Sequence, residues 1–176
     1  MRFRVAAQAT LQEYMHTSPF PVYLALGSNL GDRNAILDAA VEMLAGLAET
    51  TLLRVAARIV TKPVGGPPGQ GDFLNSACSL TTRLEPGELL RETQGIEYAL
   101  GRRRKSGGER WGPRSIDIDI LLYGDMLMNT DDLTIPHPRM AERRFVLEPL
   151  AEIAPETTVP GTGMRVVDLL NRLEPK

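Results

Sequence analysis

The sequence predicts an α+β fold, an antiparallel sheet flanked by helices in three layers, α/β/α. Three observations predict it. Four short apolar runs, rich in β-branched residues, read as strands; two stretches between them carry apolar residues at helical spacing; and the order along the chain is β-α-β-β-α-β. That order is the split-βαβ pattern of ferredoxin-like folds.

The first strand is VYLALG, which follows Pro21 and ends at Gly27. SNLGD is then a turn, and Asp32 is placed to cap a helix whose buried stripe is Ile36, Ala40, Met43, Leu44 and Leu47. LLRVAARIV, 52–60, returns as the second strand. The Gly- and Pro-rich loop KPVGGPPGQGD separates it from a third, 73–84. Pro86 sits at an early helical position, and Leu89, Leu90, Thr93, Ile96 and Leu100 mark a second helix that stops at Gly101. A basic loop leads to the fourth strand, SIDIDILLY. Beyond it LTIPHPRM reads as extended, AERRFVLEPLAEIA as a helix broken around Pro149, and MRVVDLLNRLE as a short amphipathic helix.

At 176 residues the chain is long enough for one domain that buries roughly two thirds of its unfolded surface. We read residues 21–176 as that domain and 1–20 as an N-terminal extension, since MRFRVAAQATLQEYMHTSPF has no continuous apolar segment of the secretory type. Hydrophobic residues at 43% and charged residues at 24% place the chain in ordinary globular usage rather than disorder. No apolar run reaches bilayer-spanning length, and the lone Cys78 has no thiol partner, so a cytoplasmic protein without a membrane partner is expected. Cys78 reads as a small buried strand residue. A net charge of −2 argues against a general nucleic-acid binder. The charge is uneven, however: residues 102–114 hold six basic side chains and one acid, a net +5 that leaves −7 for the remainder. A locally held anionic ligand follows from that asymmetry.

The chemistry concentrates in RWGPRSIDIDILLYG, 110–124. Strand alternation puts Ile116, Ile118, Ile120 and Leu122 on one face and Asp117, Asp119, Leu121 and Tyr123 on the other. Two carboxylates on one face stand roughly 6–7 Å apart and repel unless a cation or basic groups compensate. Alone, this pattern also fits a solvated or salt-bridged strand end. The preceding Arg102, Arg104, Lys105, Arg110 and Arg114 shift the balance, because guanidinium groups match phosphate oxygens and Mg²⁺ in phosphate sites is held by one or two carboxylates plus the phosphates. Gly101, Gly107, Gly108 and Gly112 describe a loop able to close over a nucleotide. Trp111, alone of its kind, is either a stacking ring or a loop anchor. Asn75, next but one to Phe73, is either the amide that reads a heterocycle edge or an ordinary edge-strand residue. GSNLGD and KPVGGPPGQG both lack the Gly-Lys-Ser/Thr ending of a Walker loop, and no Rossmann cradle is present. His16 and His137 are too separated for a zinc site, and no Ser, His and acid arrangement stands out.

The succession GSNLGD, TKPVG, DFLNSA, Glu97 to Lys105, RWGPRSIDIDILLYG, LTIPHPRMAERRFVLEPL and EIAPE, over about residues 21–160, resembles the 6-hydroxymethyl-7,8-dihydropterin pyrophosphokinases of folate biosynthesis. The resemblance implies transfer of pyrophosphate from ATP to a reduced pterin, with release of AMP. It implies two Mg²⁺ ions on Asp117 and Asp119, with Asp119 near the attacking hydroxyl, and charge neutralisation by Arg102 and Arg114. It places Gln94, Glu97, Arg104, Lys105, Arg110, Arg114, Ile120, Thr134, His137 and Arg143 at the ATP, and Thr61, Val64, Phe73, Asn75, Trp111 and Phe145 at the pterin. Small-molecule substrates and a monomer are the expectation. The chain departs from some members at Lys62, Asp132 and Pro138 and in the Gly107–Gly108 lengthening of its loop.

Two other readings share parts of this pattern. A ferredoxin-like RNA-binding module would carry an RNP-like aromatic pair on its central strands and a basic domain, and neither is seen. A two-metal nuclease would share the carboxylates and arginines but would not consume ATP.

Overall fold

A computed structural model describes residues 18–103 and 112–173 of the chain. The elements are β1 (Phe20–Ser28), α1 (Arg33–Ala45), β2 (Thr50–Val55), β3 (Ile59–Thr61), β4 (Phe73–Thr82), α2 (Pro86–Ala99) and β5 (Asp117–Tyr123). There follow the hairpin of β6 (Met128–Asn129) and β7 (Thr134–Ile135), a 3₁₀ turn at Met140–Glu142, and α3 (Arg144–Ile153). A second hairpin of β8 (Thr158–Val159) and β9 (Met164–Arg165) leads into α4 (Val166–Arg172). The main sheet runs β2-β4-β1-β5, with β3 also on β4, and every pairing in it is antiparallel. This is the ferredoxin-like arrangement that the element order predicts.

Local chemistry explains the elements. Asp32 caps α1 by accepting from the Ala35 N–H at 3.1 Å, and Leu37, Ala40 and Leu44 form its buried stripe. Met43, expected in that stripe, is exposed instead, because the face that meets the sheet is centred one position away. Pro86 opens α2, and Glu88 Oε2 accepts from the Glu85 N–H at 3.0 Å. α2 ends in a Schellman motif: the Arg102 N–H reaches Glu97 O at 2.9 Å, the Gly101 N–H reaches Tyr98 O at 3.1 Å, and Gly101 takes a φ of +88°.

The two faces of the sheet bury separate cores. On one, Leu24, Leu26, Leu80, Ile118 and Ile120 pack against Leu37 and Leu44 of α1 and Leu89 and Ile96 of α2. On the other, Ala77, Leu121 and Leu122 pack against Leu147, Leu150 and Ile153 of α3 and Val166 of α4. The result is the three-layer α/β/α sandwich.

The strand anticipated over 52–60 is two pieces, β2 and β3. Ala56–Arg58 break the ladder between them, and Glu152 and Arg54 tie this edge to the end of α3 through the Ala57 N–H and Ile153 O. The helix anticipated to break around Pro149 runs through it, since one lost backbone bond is outweighed by a continuous apolar stripe. The break falls at Arg143, whose extended φ/ψ of −116°/102° separates the 3₁₀ turn from α3. Finally, alternation along the last strand fails after Ile120. Leu24 pairs with Ile120 and Tyr23 with Leu122, so Leu121 is an extra residue, a β-bulge that inverts the phase. Leu122 therefore joins the α3-side core, and Tyr123 joins the isoleucines, its ring tilted against that of Phe20 with centroids 5.3 Å apart.

Leu147 is fully buried between α3 and the sheet. Leu147→Ala is expected to lower stability by about 2–5 kcal/mol through a core cavity, measured by urea unfolding with the slope of the transition unchanged.

Candidate active site

The register of β1 against its two neighbours assembles the site. Gly27 pairs with Asn75 on β4 and with Asp117 on β5, so Asp117, Gly27 and Asn75 form one row across the sheet. Ala25, between Ala77 and Asp119, forms the next. Both carboxylates, as the alternation before the bulge requires, rise on the α3 side, above small residues that leave room. A Cβ added at Gly27 would lie 3.0 Å from Asn75 Oδ1, so this position keeps the acceptor clear. A cleft opens there, bounded by Phe73, Asn75, Arg114, Asp117, Asp119 and Phe145. A wider cavity of about 250 Å³ adjoins it, lined also by Thr61, Lys62, Val64, Arg139, Glu142 and Arg143.

Asn75 is buried and oriented. Its Nδ2 donates to Thr61 Oγ1 at 2.8 Å, which turns Oδ1 over Gly27 as a fixed hydrogen-bond acceptor beside the ring of Phe73. Guanidinium groups lie over both cleft rings, Arg114 at 5.6 Å from the centroid of Phe73 and Arg143 at 5.7 Å from that of Phe145.

Asp117 is flanked by cations: Arg102 Nη1 bonds its Oδ1, and Arg114 Nη2 lies 3.1 Å from its Oδ2. Asp119 has weaker company, with His137 Nε2 at 3.9 Å. Burial, and then the charge of Asp117, push the Asp119 carboxyl from 3.8 up to about 6 against the pull of Arg114, Arg143 and Arg102. Burial and Arg143 lower the His137 imidazole below its ordinary value. Its Nδ1 accepts from the Arg139 N–H at 3.2 Å, so the neutral ring presents Nε2–H towards Asp119. On the other side of Asp117, buried Glu97 bonds Arg102 and the Ile118 N–H, and a second cavity of about 280 Å³ is lined by Gln94, Glu97, Tyr98, Arg102 and Arg103.

The structure thus gathers Asp117, Asp119, Arg102, Arg114, His137, Arg143, Thr61, Val64, Phe73, Asn75 and Phe145 around one region, with Gln94 and Glu97 at its flank. Ile120 is 3% exposed and sits in the core opposite Leu24. Thr134 lies on the β6–β7 hairpin with its hydroxyl on Asn129 Oδ1 at 3.0 Å. Arg104, Lys105, Arg110, Trp111, Gly107 and Gly108 lie outside the described residues, as does His16. Asn29 went unnoticed in the sequence. Nearly buried, it accepts from the Arg114 N–H at 2.8 Å and donates to Gln70 Oε1 at 3.3 Å, joining the Gly/Pro-rich loop to the arginine. The signal for it was the abrupt turn in GSNLGD, which needs a polar side chain to satisfy backbone groups.

Among the described residues no cluster of three or more His, Cys, Asp and Glu side chains could hold a metal. The two carboxylates can therefore supply only part of a cation's oxygen shell. Such an incomplete hard-oxygen set fits Mg²⁺, whose remaining positions are filled by phosphate and water, and a cation would offset the burial and the Asp117 repulsion that raise Asp119.

A ferredoxin-like sheet bearing paired carboxylates, converging guanidinium groups and a ring-lined cleft has the equipment of a phosphate-handling transferase. Comparison with known proteins agrees. The profile of the family described as 7,8-dihydro-6-hydroxymethylpterin-pyrophosphokinase (HPPK) matches residues 23–155. A 2-amino-4-hydroxy-6-hydroxymethyldihydropteridine pyrophosphokinase of Bacillus subtilis is 48% identical over 141 residues, 80% of this chain and 82% of its own. One of Pseudomonas aeruginosa is 42% identical over 149 residues, covering 85% and 89%. Among solved structures, wild-type Plasmodium falciparum HPPK-DHPS with pteroate superposes at a TM-score of 0.67 with 15% identity. The match covers 88% of this chain and 42% of that one, and it speaks for the fold alone. The chain belongs to the 7,8-dihydro-6-hydroxymethylpterin-pyrophosphokinase family.

Gly27→Ala places a methyl against Asn75 Oδ1 and is expected to weaken binding of a flat heterocycle by about tenfold or more, as loss of one hydrogen bond would, read by fluorescence titration with a pterin. For Asp119, a carboxyl raised in the fold contributes stability that is fully present below about pH 4 and lost as the pH rises through about 6. Without divalent cations, the stability of the wild type relative to Asp119→Asn should decline over that window and level off above it, measured by urea unfolding at each pH.

Proposed function

We infer that the protein transfers the pyrophosphoryl group of ATP to the hydroxymethyl group of 6-hydroxymethyl-7,8-dihydropterin, giving the pterin diphosphate and AMP in folate biosynthesis. The observation that carries this reading is family membership over residues 23–155, with the acidic pair Asp117 and Asp119 placed at a ring-lined cleft.

In this reading Asn75 Oδ1, held by Thr61, accepts from the pterin ring, while Phe73 and Phe145 enclose its faces and Val64 closes the outer side. Asp117 and Asp119 would hold two Mg²⁺ ions, which would supply neutralisation of the phosphate charge. Arg102, Arg114 and Arg143 present guanidinium groups to the transferring pyrophosphoryl oxygens. Gln94 flanks the nucleotide, with Thr134 and His137 towards its other side, Arg104, Lys105 and Arg110 bind its triphosphate, and Trp111 stacks on the pterin. The substrate hydroxyl oxygen bonds to the β-phosphorus as the bridge from the α-phosphate to that phosphorus breaks, and AMP departs with the bridging electrons. The hydroxyl proton passes to the Asp119 carboxylate, which acts as the base. The partners in this proposal are ATP and the reduced pterin alone. The enzyme acts as a cytoplasmic monomer, without nucleic-acid or membrane contacts; among the described residues no helix is long and apolar enough to cross a membrane.

With ATP, Mg²⁺ and the pterin, chromatography of the products is expected to show AMP and pterin diphosphate in equal amounts; ADP in place of AMP would overturn the reading. Asp117→Ala and Asp119→Ala are expected to fold and to lose at least about 10²-fold in kcat. Circular dichroism checks the fold in parallel.

A further inference from the structure

Arg102 is held in an unusual way. Its Nη1 meets three oxygens, Glu97 Oε1 at 2.5 Å, Ile116 O at 3.2 Å and Asp117 Oδ1, yet this nitrogen carries only two hydrogens. One oxygen is therefore always in excess. Release of Asp117 leaves both hydrogens satisfied by Glu97 and by the Ile116 carbonyl. Glu97 itself is immobile: its side chain is 3% exposed, its Oε1 also accepts from the Ile118 N–H at 2.8 Å, and its main-chain oxygen accepts the Arg102 N–H in the Schellman cap. One glutamate thus fixes Arg102 by side chain and by backbone while anchoring the strand that carries both aspartates.

We propose that Glu97 is a positioning residue for the transfer reaction: it keeps the Arg102 guanidinium in the site while Asp117 exchanges that guanidinium for a divalent cation. This rests on the pyrophosphokinase reading and on Asp117 as a cation ligand. Without the Glu97 charge, Arg102 would have Asp117 as its one anionic partner, and a cation would have to displace it outright. Glu97 acts through Arg102 and need not touch the nucleotide.

Glu97→Gln keeps the side chain's size and its acceptor for the Ile118 N–H but removes the charge. It is expected to lower kcat by about 10–100-fold, as partners that orient a metal ligand typically do, with KM for ATP changed less than about threefold. Mn²⁺ affinity, read by electron paramagnetic resonance in the presence of a nonhydrolysable ATP analogue, should fall by a similar factor. In an Arg102→Ala background the same substitution should cost nothing further in kcat, because a residue acting through Arg102 has nothing left to act on. Arg102→Lys gives an independent route: its ammonium ends one bond short of Nη1 and lacks the further guanidinium nitrogens that would face the site while Nη1 is held, and this variant should reproduce the kcat loss with KM unchanged. A rise in ATP KM without loss of kcat in Glu97→Gln would make Glu97 a nucleotide ligand and overturn the proposal. An equal loss with and without Arg102 would make it merely structural and also overturn it. If the wild type releases AMP and Glu97→Gln matches it, positioning alone fails; if the wild type releases none, the pyrophosphokinase reading fails first.

Discussion

The register of β1 is the constraint on which the rest depends. As an inner strand of the main sheet, β1 fixes β4 and β5 at once, and through its pairs at Gly27 it decides that Asn75 and Asp117 face each other across an empty position. A slip of one residue on either side would send an acid into the α1–α2 core and an apolar side chain into the cleft. The apolar alternation of Val22, Leu24 and Leu26, all nearly inaccessible, makes such a slip costly, so core packing guarantees the geometry of the polar site on the opposite face.

Electrostatic compensation then follows from placement. Asp117 sits between the guanidinium groups of Arg102 and Arg114, while buried Asp119, more poorly matched, has its carboxyl pushed up to about 6 by burial and then by the charge of Asp117. The two carboxylates differ because one stands next to the end of α2 and the other beside a neutral imidazole. That difference in surroundings alone gives the two positions unlike chemistry.

Much of this was legible in the sequence. Period-two alternation gave the shared face of Asp117 and Asp119, helical spacing gave α1 and α2, and the order of elements gave the sheet. What was hidden depends on contacts between distant segments. The bulge at Leu121 arises from pairing with β1, and no single strand announces it. The split of β2 from β3 depends on Glu152, nearly a hundred residues away. Pro149 signalled a break because propensity speaks for the isolated helix, whereas α3 is stabilised by what it buries. The burial of Glu97 was unreadable for a related reason: a glutamate in a basic neighbourhood looks solvent-facing until the Schellman cap brings Arg102 back onto it.

The bulge at Leu121 also divides the evolutionary freedom of β5. Before it, positions alternate between a packed face and a chemical face, and each tolerates only its own kind of residue. After it, Leu121 and Leu122 are both committed to α3, and Tyr123 to the opposite layer with its hydroxyl donating to Leu84 O at 2.5 Å. The bulge therefore works as an insulator. Packing of the C-terminal helices can drift, exchanging one apolar side chain for another, without rotating the two aspartates out of the cleft.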